Sequence, residues 1–185
     1  MPTFSTVPII QQLKAVDNGK TFKLIGGAAE IPRLLDMENI NTSLMPFCGV
    51  VPSESMVTDN EGLNGVWQVE TNYFDCVVIL DNTTNTLDTS GQAATVDFFG
   101  TCRDAVFKCI LNWNPPFNAP QPISFDGYQL EDLTTSRVVY RLKFRCDINI
   151  SSDDGYMSPQ FPDWTIDPVE VDATIPGQPT HLITK

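Results

Sequence analysis

The sequence predicts an α+β fold in which helices cover a mixed, mostly antiparallel sheet. Apolar residues recur at three- and four-residue spacing from Phe99 to Trp113, which is typical of one face of a helix. They alternate with mostly polar residues from Val138 to Ile150, which indicates a strand with one buried face. Residues 74–80 are apolar almost throughout, which favours a strand buried on both faces. Because short connections join these helices and strands, we expect layers that share one core.

The first part of the chain predicts two helices with a short strand between them. Thr6 can cap the first helix, and Pro8 suits its first turn, where a missing N–H costs nothing. Residues 17–19, Asp-Asn-Gly, end this helix. Residues 21–25 predict a short strand, and residues 28–35 predict a second, short helix after a tight glycine turn.

The middle of the chain predicts two strands separated by a loop. Residues 46–52 form a compact apolar segment between two prolines, and residues 53–65 are polar and are expected to be an exposed loop. A long strand follows over residues 65–81, where the alternation changes register at residues 72–74 and indicates a bulge. The turn-rich residues 81–89 lead into the long helix.

The long helix and the segment after it supply most of the expected core. Thr89 and Gln92 can form a capping box at its start, and the Pro115–Pro116 pair ends it near residues 112–114. Residues 125–128 predict a turn that begins a short strand. The residues expected to build the core of this part are Phe99, Val106, Trp113, Pro115 and Tyr128.

The order of several short motifs resembles the tail terminator proteins of contractile-tailed bacteriophages. Arg-Asp-Ala-Val at residues 103–106 is followed by Leu-Asn-Trp-Asn-Pro at 111–115, then by Pro-Ile-Ser-Phe-Asp-Gly-Tyr at 122–128 and the alternating strand. Members of that family have a helix that ends in a Trp-x-Pro corner, a short turn with glycine and a long strand. Upstream segments, including Phe-Lys-Leu-Ile-Gly-Gly-Ala-Ala, also stand in the expected order. The resemblance covers roughly residues 4–150.

This resemblance implies a structural virion protein that acts by shape rather than by chemistry. It implies a homohexameric ring that caps the head-proximal end of the tail tube and joins the tail to the neck. The expected partners are other copies of the chain, the tube protein, the sheath protein and the neck or connector proteins. DNA would pass through the lumen without specific binding, and the virion would be assembled in the host cytoplasm. The alternatives are another neck or tail-completion protein, or a soluble α+β enzyme or ligand-binding domain with an unseen site.

The chain divides into a tail-terminator-like domain, residues 1–150, and an acidic, proline-rich arm, residues 151–185. The arm has five prolines and no amphipathic period, yet it is rich in apolar residues, unlike an ordinary disordered tail. We expect it to extend and bind a neighbouring subunit through aromatic anchors; the alternative is an arm folded back on its own domain. The anchors are Tyr156, Phe161 and Trp164.

Three basic residues alternate along one face of the last strand, where the resemblance leads us to expect apolar and aromatic side chains. They are Arg141, Lys143 and Arg145. They form either a solvated sheet face or a basic stripe that meets an acidic partner, such as the acidic arm or a carboxylate-rich neighbour. The second interpretation makes them candidate interface residues.

The composition argues against catalysis, cofactors and nucleic-acid binding. The net charge of −12 repels phosphate. A catalytic triad needs a histidine, and the single one, His181, is in the arm. Neither metal-ligand spacing nor a cofactor fingerprint is present, so we expect no catalytic, metal or cofactor site. The five cysteines are expected to be buried free thiols, and no apolar run reaches the roughly 18 residues that cross a bilayer.

Overall fold

The structure is a computed structural model, and it describes residues 4–35, 42–63, 65–83, 94–117, 119–134 and 136–155. Within these residues the chain forms three helices and one five-stranded sheet. The helices are α1 (Val7–Asp17), α2 (Glu30–Leu35) and α3 (Ala94–Ile110). The strands are β1 (Leu24–Gly27), β2 (Phe47–Val57), β3 (Trp67–Asp81), β4 (Ser124–Leu133) and β5 (Arg137–Ser151).

The sheet is mixed, with strand order β1-β2-β3-β5-β4. β1 pairs with β2 in parallel, and the other neighbouring pairs are antiparallel. β3 and β5 lie at the centre and pair over their whole lengths, from Trp67 opposite Ser151 to Asp81 opposite Arg137. The predicted α+β class with a mixed, mostly antiparallel sheet is therefore confirmed.

Two clusters of buried side chains lie on opposite faces of this sheet. The larger cluster joins α1 and α3 to one face and includes Leu13, Val106 and Phe144. The smaller cluster joins α2 to the other face and includes Ile31 and Val139. The alternation of β5 separates the two, because successive side chains of a strand point to opposite faces. Among the described helices, only α2 packs on the second face. We call the part of that face formed by β3, β4 and β5 the open sheet face.

The expected first helix is present, but Thr6 does not cap it as predicted. Thr6 has helical backbone angles and its side chain makes no capping hydrogen bond; the N–H of Val7 donates to Ser5 Oγ instead. At the other end Asn18 takes the left-handed conformation, and α1 ends at the predicted residues 17–19. Asp17 is buried and accepts hydrogen bonds from the backbone N–H groups of Thr21 and Phe22.

β2 continues through residues 53–57, so the loop predicted from residue 53 is wrong at its start. The side chains of residues 53–57 are exposed, and a strand without a buried face leaves no hydrophobic period to detect. The expected irregularity does occur opposite residues 72–74, but the extra residue is in β2. Pro52 pairs with Phe74 and Ser55 with Asn72, which leaves two residues of β2 opposite Tyr73.

The predicted turn at residues 125–128 is also wrong, because these residues belong to β4. Phe125 pairs with Phe144 and Gly127 with Lys143, so Asp126 is an extra residue in a bulge. Gly127 has φ = 129°, a conformation that L side chains rarely adopt. The bulge chemistry of Asp-Gly resembles that of a turn, which explains the error.

Tyr128 is 55% exposed, so its expected place in the core is wrong. It lies on the edge strand β4, and its ring packs on the ring of Phe99 with centroids 5.2 Å apart. Trp113, also expected to be buried, is only half-buried, because α3 ends at Ile110, before the predicted residues 112–114. The structure buries Phe99, Val106 and Pro115. The predicted Thr89–Gln92 capping box lies outside the described residues.

The five cysteines are free and buried. Burial raises the pKa of Cys102 and of Cys146 to about 12, and that of Cys109 to about 11. A hydrogen bond with Cys48, together with burial, raises the pKa of Cys76. The raised pKa keeps the thiols of Cys76, Cys102, Cys109 and Cys146 protonated at neutral pH. They are therefore unsuited to act as nucleophiles or metal ligands, which both require the thiolate.

Candidate interaction surface

The open sheet face carries a group of charged side chains from several strands. Arg141, Lys143 and Arg145 do project from this face of β5, as their spacing predicted. Their surroundings differ from the expectation, because carboxylates of the same chain already bind two of them.

Arg141 is held between a buried and an exposed carboxylate. Its Nη1 donates to Oδ2 of Asp75 at 2.8 Å, and Asp75 on β3 is only 2% exposed. Its Nε and Nη2 donate to the two carboxylate oxygens of Glu131 at 3.1 and 2.5 Å. The hydrogen bonds with Glu131, followed by those with Asp75, raise the pKa of Arg141. Such bidentate, charge-assisted geometry holds the guanidinium in a single orientation.

A bulge in the edge strand places Glu131 for this contact. Leu130 pairs with Tyr140 and Asp132 pairs with Val139, which leaves Glu131 as the extra residue. An extra residue bends the strand and redirects its side chain, and bulges are known to serve this purpose in other sheets. The carboxylate consequently reaches the guanidinium from the side opposite Asp75.

Lys143 is paired in the same way by a residue of another bulge. Its Nζ donates to Oε1 of Glu54 at 2.8 Å and lies 4.8 Å from the centre of the Tyr73 ring. Glu54 is one of the two β2 residues opposite Tyr73. The hydrogen bond with Glu54 raises the pKa of Lys143. The third basic residue, Arg145, donates from Nε to Ser124 Oγ at 2.9 Å and is exposed.

These contacts correct the interpretation of the basic stripe as a positive surface waiting for an acidic partner. Arg141 and Lys143 are neutralised within the chain, and only Arg145 has no carboxylate within salt-bridge distance among the described residues. The alternation within β5 was enough to identify the three basic residues. Their carboxylate partners come from three other strands: Glu54 from β2, Asp75 from β3 and Glu131 from β4. The sequence did contain a signal for one of these carboxylates, because Asp75 interrupts an otherwise apolar strand.

A cavity of about 360 Å³ opens on this face between β2 and β4. We call it the acidic cavity; its side chains are Ser53, Asp75, Asp126, Tyr128, Gln129, Arg141 and Lys143. Oδ1 of Asp75 is buried and has no hydrogen-bond partner among the described residues. Asp126, the bulge residue of β4, is exposed; its charge helps to raise the pKa of Lys143, but it makes no ion pair with a described residue. Two further carboxylates, Glu54 and Glu131, lie beside the cavity and bind its two cations, and Arg145 adds a third cation to the same face.

A second, more apolar cavity of about 350 Å³ lies between α2 and the same sheet face. Ile31 and Pro32 of α2 form one wall, and Val77 and Val139 form the floor. Arg137, paired with Asp132 at 3.1 Å, closes the side towards β4. Arg141 lines both cavities.

The described part of the chain holds no cluster of three His, Cys, Asp or Glu side chains that could bind a metal ion. None of its helices is both long and apolar enough to cross a membrane. Three proposed interface residues of the arm, Tyr156, Phe161 and Trp164, lie outside the described residues, as does His181.

Comparison with known proteins supports the resemblance seen in the motifs. A family model described as phage tail terminator protein matches residues 1–154. Among solved structures, one described as the virion of a native gene transfer agent particle aligns with 76% of this chain and 91% of that chain. Its TM-score is 0.41 at 13% identity. No curated protein matches the sequence.

The family match spans the whole folded domain described above, from α1 to the end of β5. It leaves out the proline-rich segment from residue 156 onwards. A match over this share of the chain determines its family. The chain therefore belongs to the phage tail terminator family, and it is a structural protein of the virion tail.

Proposed function

We propose that this protein forms a homohexameric ring that caps the head-proximal end of the tail tube in a contractile-tailed phage and joins the tail to the neck. The observation that supports this most is the family match over residues 1–154. The ring would contact the tube and sheath proteins on one side and the neck or connector proteins on the other. It would be assembled in the host cytoplasm.

The charge of the chain supports the passage of DNA through such a ring without binding. A net charge of −12 repels the phosphate backbone, so the lumen would not retain DNA. Thiols whose pKa is raised, and the absence of a metal cluster in the described part, give no support to the alternative of an enzyme. Another neck or tail-completion role remains the alternative within the virion.

Loss of this protein is expected to deregulate tail length, because a terminator stops tube growth. We expect a phage that lacks the gene to produce tubes of variable length that fail to join heads, as seen by electron microscopy. A plasmid copy should restore uniform tails, and the purified protein should have a native mass of about six copies. Uniform tails in the absence of the gene would contradict termination. Tubes of normal length that fail only to join heads would favour the neck alternative.

We further propose that the arm binds a neighbouring subunit through Tyr156, Phe161 and Trp164. This proposal rests on the sequence: restricted φ at the prolines lowers the entropy lost on docking, and aromatic residues bury the most area per ordered residue. Aromatic residues of this kind are common among the residues that dominate interface energies.

Truncation is expected to abolish assembly while preserving the folded domain. The cut belongs after Gly155, because Ser151 pairs with Trp67 and its N–H donates to the Asp154 carboxylate. The truncated chain should keep the parent's free energy of unfolding and fail to enter rings or tails. A matched control replaces Thr165, Thr174 and Thr180 of the arm by Ala and should assemble normally. Normal assembly of the truncated chain would refute the arm contact, and loss of its fold would place the arm on its own domain.

A further inference from the structure

The acidic cavity has two carboxylate groups whose hydrogen-bonding capacity is only partly used. Asp75 is 98% buried, and its Oδ1 accepts no hydrogen bond from any described residue. A buried polar atom without a partner costs free energy, and native structures rarely contain one. The Asp126 carboxylate borders the same cavity and makes no ion pair with a described residue. Both carboxylates can therefore accept hydrogen bonds beyond those that Arg141 and Lys143, which also line the cavity, provide.

The side chain that fits these free acceptors is that of lysine. Its ammonium group is compact, carries three donors and sits on a flexible stem that can enter a cavity of about 360 Å³. The planar guanidinium of Arg141 already borders the cavity, and each of its three nitrogens donates to Asp75 or Glu131. A metal ion fits less well, because the described residues include no group of three metal-binding side chains.

The chain also has exposed lysines that make no ion pair with a described residue, and they lie on the opposite face of the sheet. Lys20 and Lys108 border a cavity of about 400 Å³ between the end of α1 and α3. Lys14 is in the last turn of α1, where its carbonyl accepts the N–H of Asn18. We call Lys14, Lys20 and Lys108 the lysine end.

The carboxylates beside the lysine end are already used. Asp17 is buried and accepts the backbone N–H groups of Thr21 and Phe22. Asp104 pairs with Arg103 at 3.2 Å. The lysine end thus keeps an excess of positive charge, which complements the carboxylates of the acidic cavity that make no ion pair or keep an unpartnered oxygen.

We propose that a lysine of the lysine end enters the acidic cavity of a second copy of this chain, so that copies join head to tail. The two surfaces lie on opposite faces of one sheet and cannot meet within a single copy. A contact between two different surfaces leaves the joined pair with one free surface of each kind, so further copies can add. Repetition gives a ring when the rotation between neighbouring copies closes. This inference rests on the ring assembly proposed above and identifies its contact surfaces.

Charge reversal on each surface, alone and together, tests the contact. Asp126→Lys places positive charge at the cavity, and the double variant Lys20→Glu with Lys108→Glu reverses the lysine end. The four residues to be substituted are exposed in the parent protein; they are Lys20, Lys108, Asp126 and the control Asp59. Like charges across an interface are strongly unfavourable, so each variant should weaken self-association at least about tenfold in sedimentation equilibrium. The combination of all three substitutions should recover most of that loss.

The control Asp59→Lys makes the same change of charge on an exposed residue away from both surfaces, and it should associate like the parent. Circular dichroism melting identifies any variant whose fold is impaired. Asp75→Asn supplies an independent variant, because it retains the shape of the side chain and removes the charge. It should also weaken association.

Three results would overturn the contact. Unchanged rings in both Asp126→Lys and the lysine double variant would do so, and would leave the terminator function intact. Failure of the combined variant to recover association would exclude these lysines as the occupants. Rings that persist in Asp126→Lys but no longer bind tubes would assign the cavity to a cation of another tail protein. A parent that stays monomeric at every concentration would instead refute the proposed ring itself.

Discussion

Phe99→Ala should destabilise the domain by about 3–4 kcal/mol, because it removes a large ring from a packed core. Phe99 is 6% exposed, and its ring stacks on that of Tyr140 with centroids 3.7 Å apart. It also contacts the ring of Tyr128, so its loss would leave a cavity between α3 and the sheet. Urea denaturation followed by tryptophan fluorescence or circular dichroism measures the change in the free energy of unfolding.

The adjacent residue provides a matched control for this substitution. Phe98 is on the same helix, carries the same side chain and is 42% exposed. Phe98→Ala should therefore cost less than about 1 kcal/mol, since surface substitutions usually have small effects. Equal losses for the two variants would show that α3 does not present Phe99 to the sheet.

Arg141→Met should cost about 2–3 kcal/mol, because it leaves the buried carboxylate of Asp75 without its cation. The value lies below the usual range for a fully buried pair, since the side chain of Arg141 is 33% exposed and solvent screens part of the interaction. Methionine retains the length and apolar stem of the side chain, so the loss reports the charge rather than the packing. The measurement is again the free energy of unfolding in urea.

An exposed ion pair supplies the comparison. Arg103 pairs with Asp104 at 3.2 Å, but their side chains are 38% and 58% exposed. Arg103→Met should change stability by less than about 1 kcal/mol, because exposed pairs contribute little. If Arg141→Met is as mild as Arg103→Met, Asp75 does not depend on Arg141. The acidic cavity would then be more solvated than its geometry implies.

The burial of a residue depends on the position of its element in the sheet as well as on the hydrophobic period. Val106 and Phe99 follow the helical period and are buried. Tyr128, predicted to lie in a turn, belongs to the edge strand β4 and is exposed. Periodicity identifies which side of an element is apolar, but the position of that element in the sheet determines how much of that side is covered.

The candidate surface could be predicted only in part for a similar reason. The spacing of Arg141, Lys143 and Arg145 places them on one face of a strand, since side chains alternate. Their partners come from distant positions: Glu54 is 89 residues from Lys143, and Asp75 is 66 residues from Arg141. Such pairs depend on strand order and register, which no local pattern specifies.

The sequence by itself determined the elements with strong periods, the α+β class and the resemblance to the tail terminator family. It did so because the burial of one face repeats at 3.6 residues in a helix and at two in a strand. Only the tertiary structure determined the charge of the open sheet face. The order β2-β3-β5-β4 places Asp75 on one side of the basic residues and the bulge residue Glu131 on the other. Charge at a surface is the sum over neighbouring strands, and that sum exists only after the strands have paired.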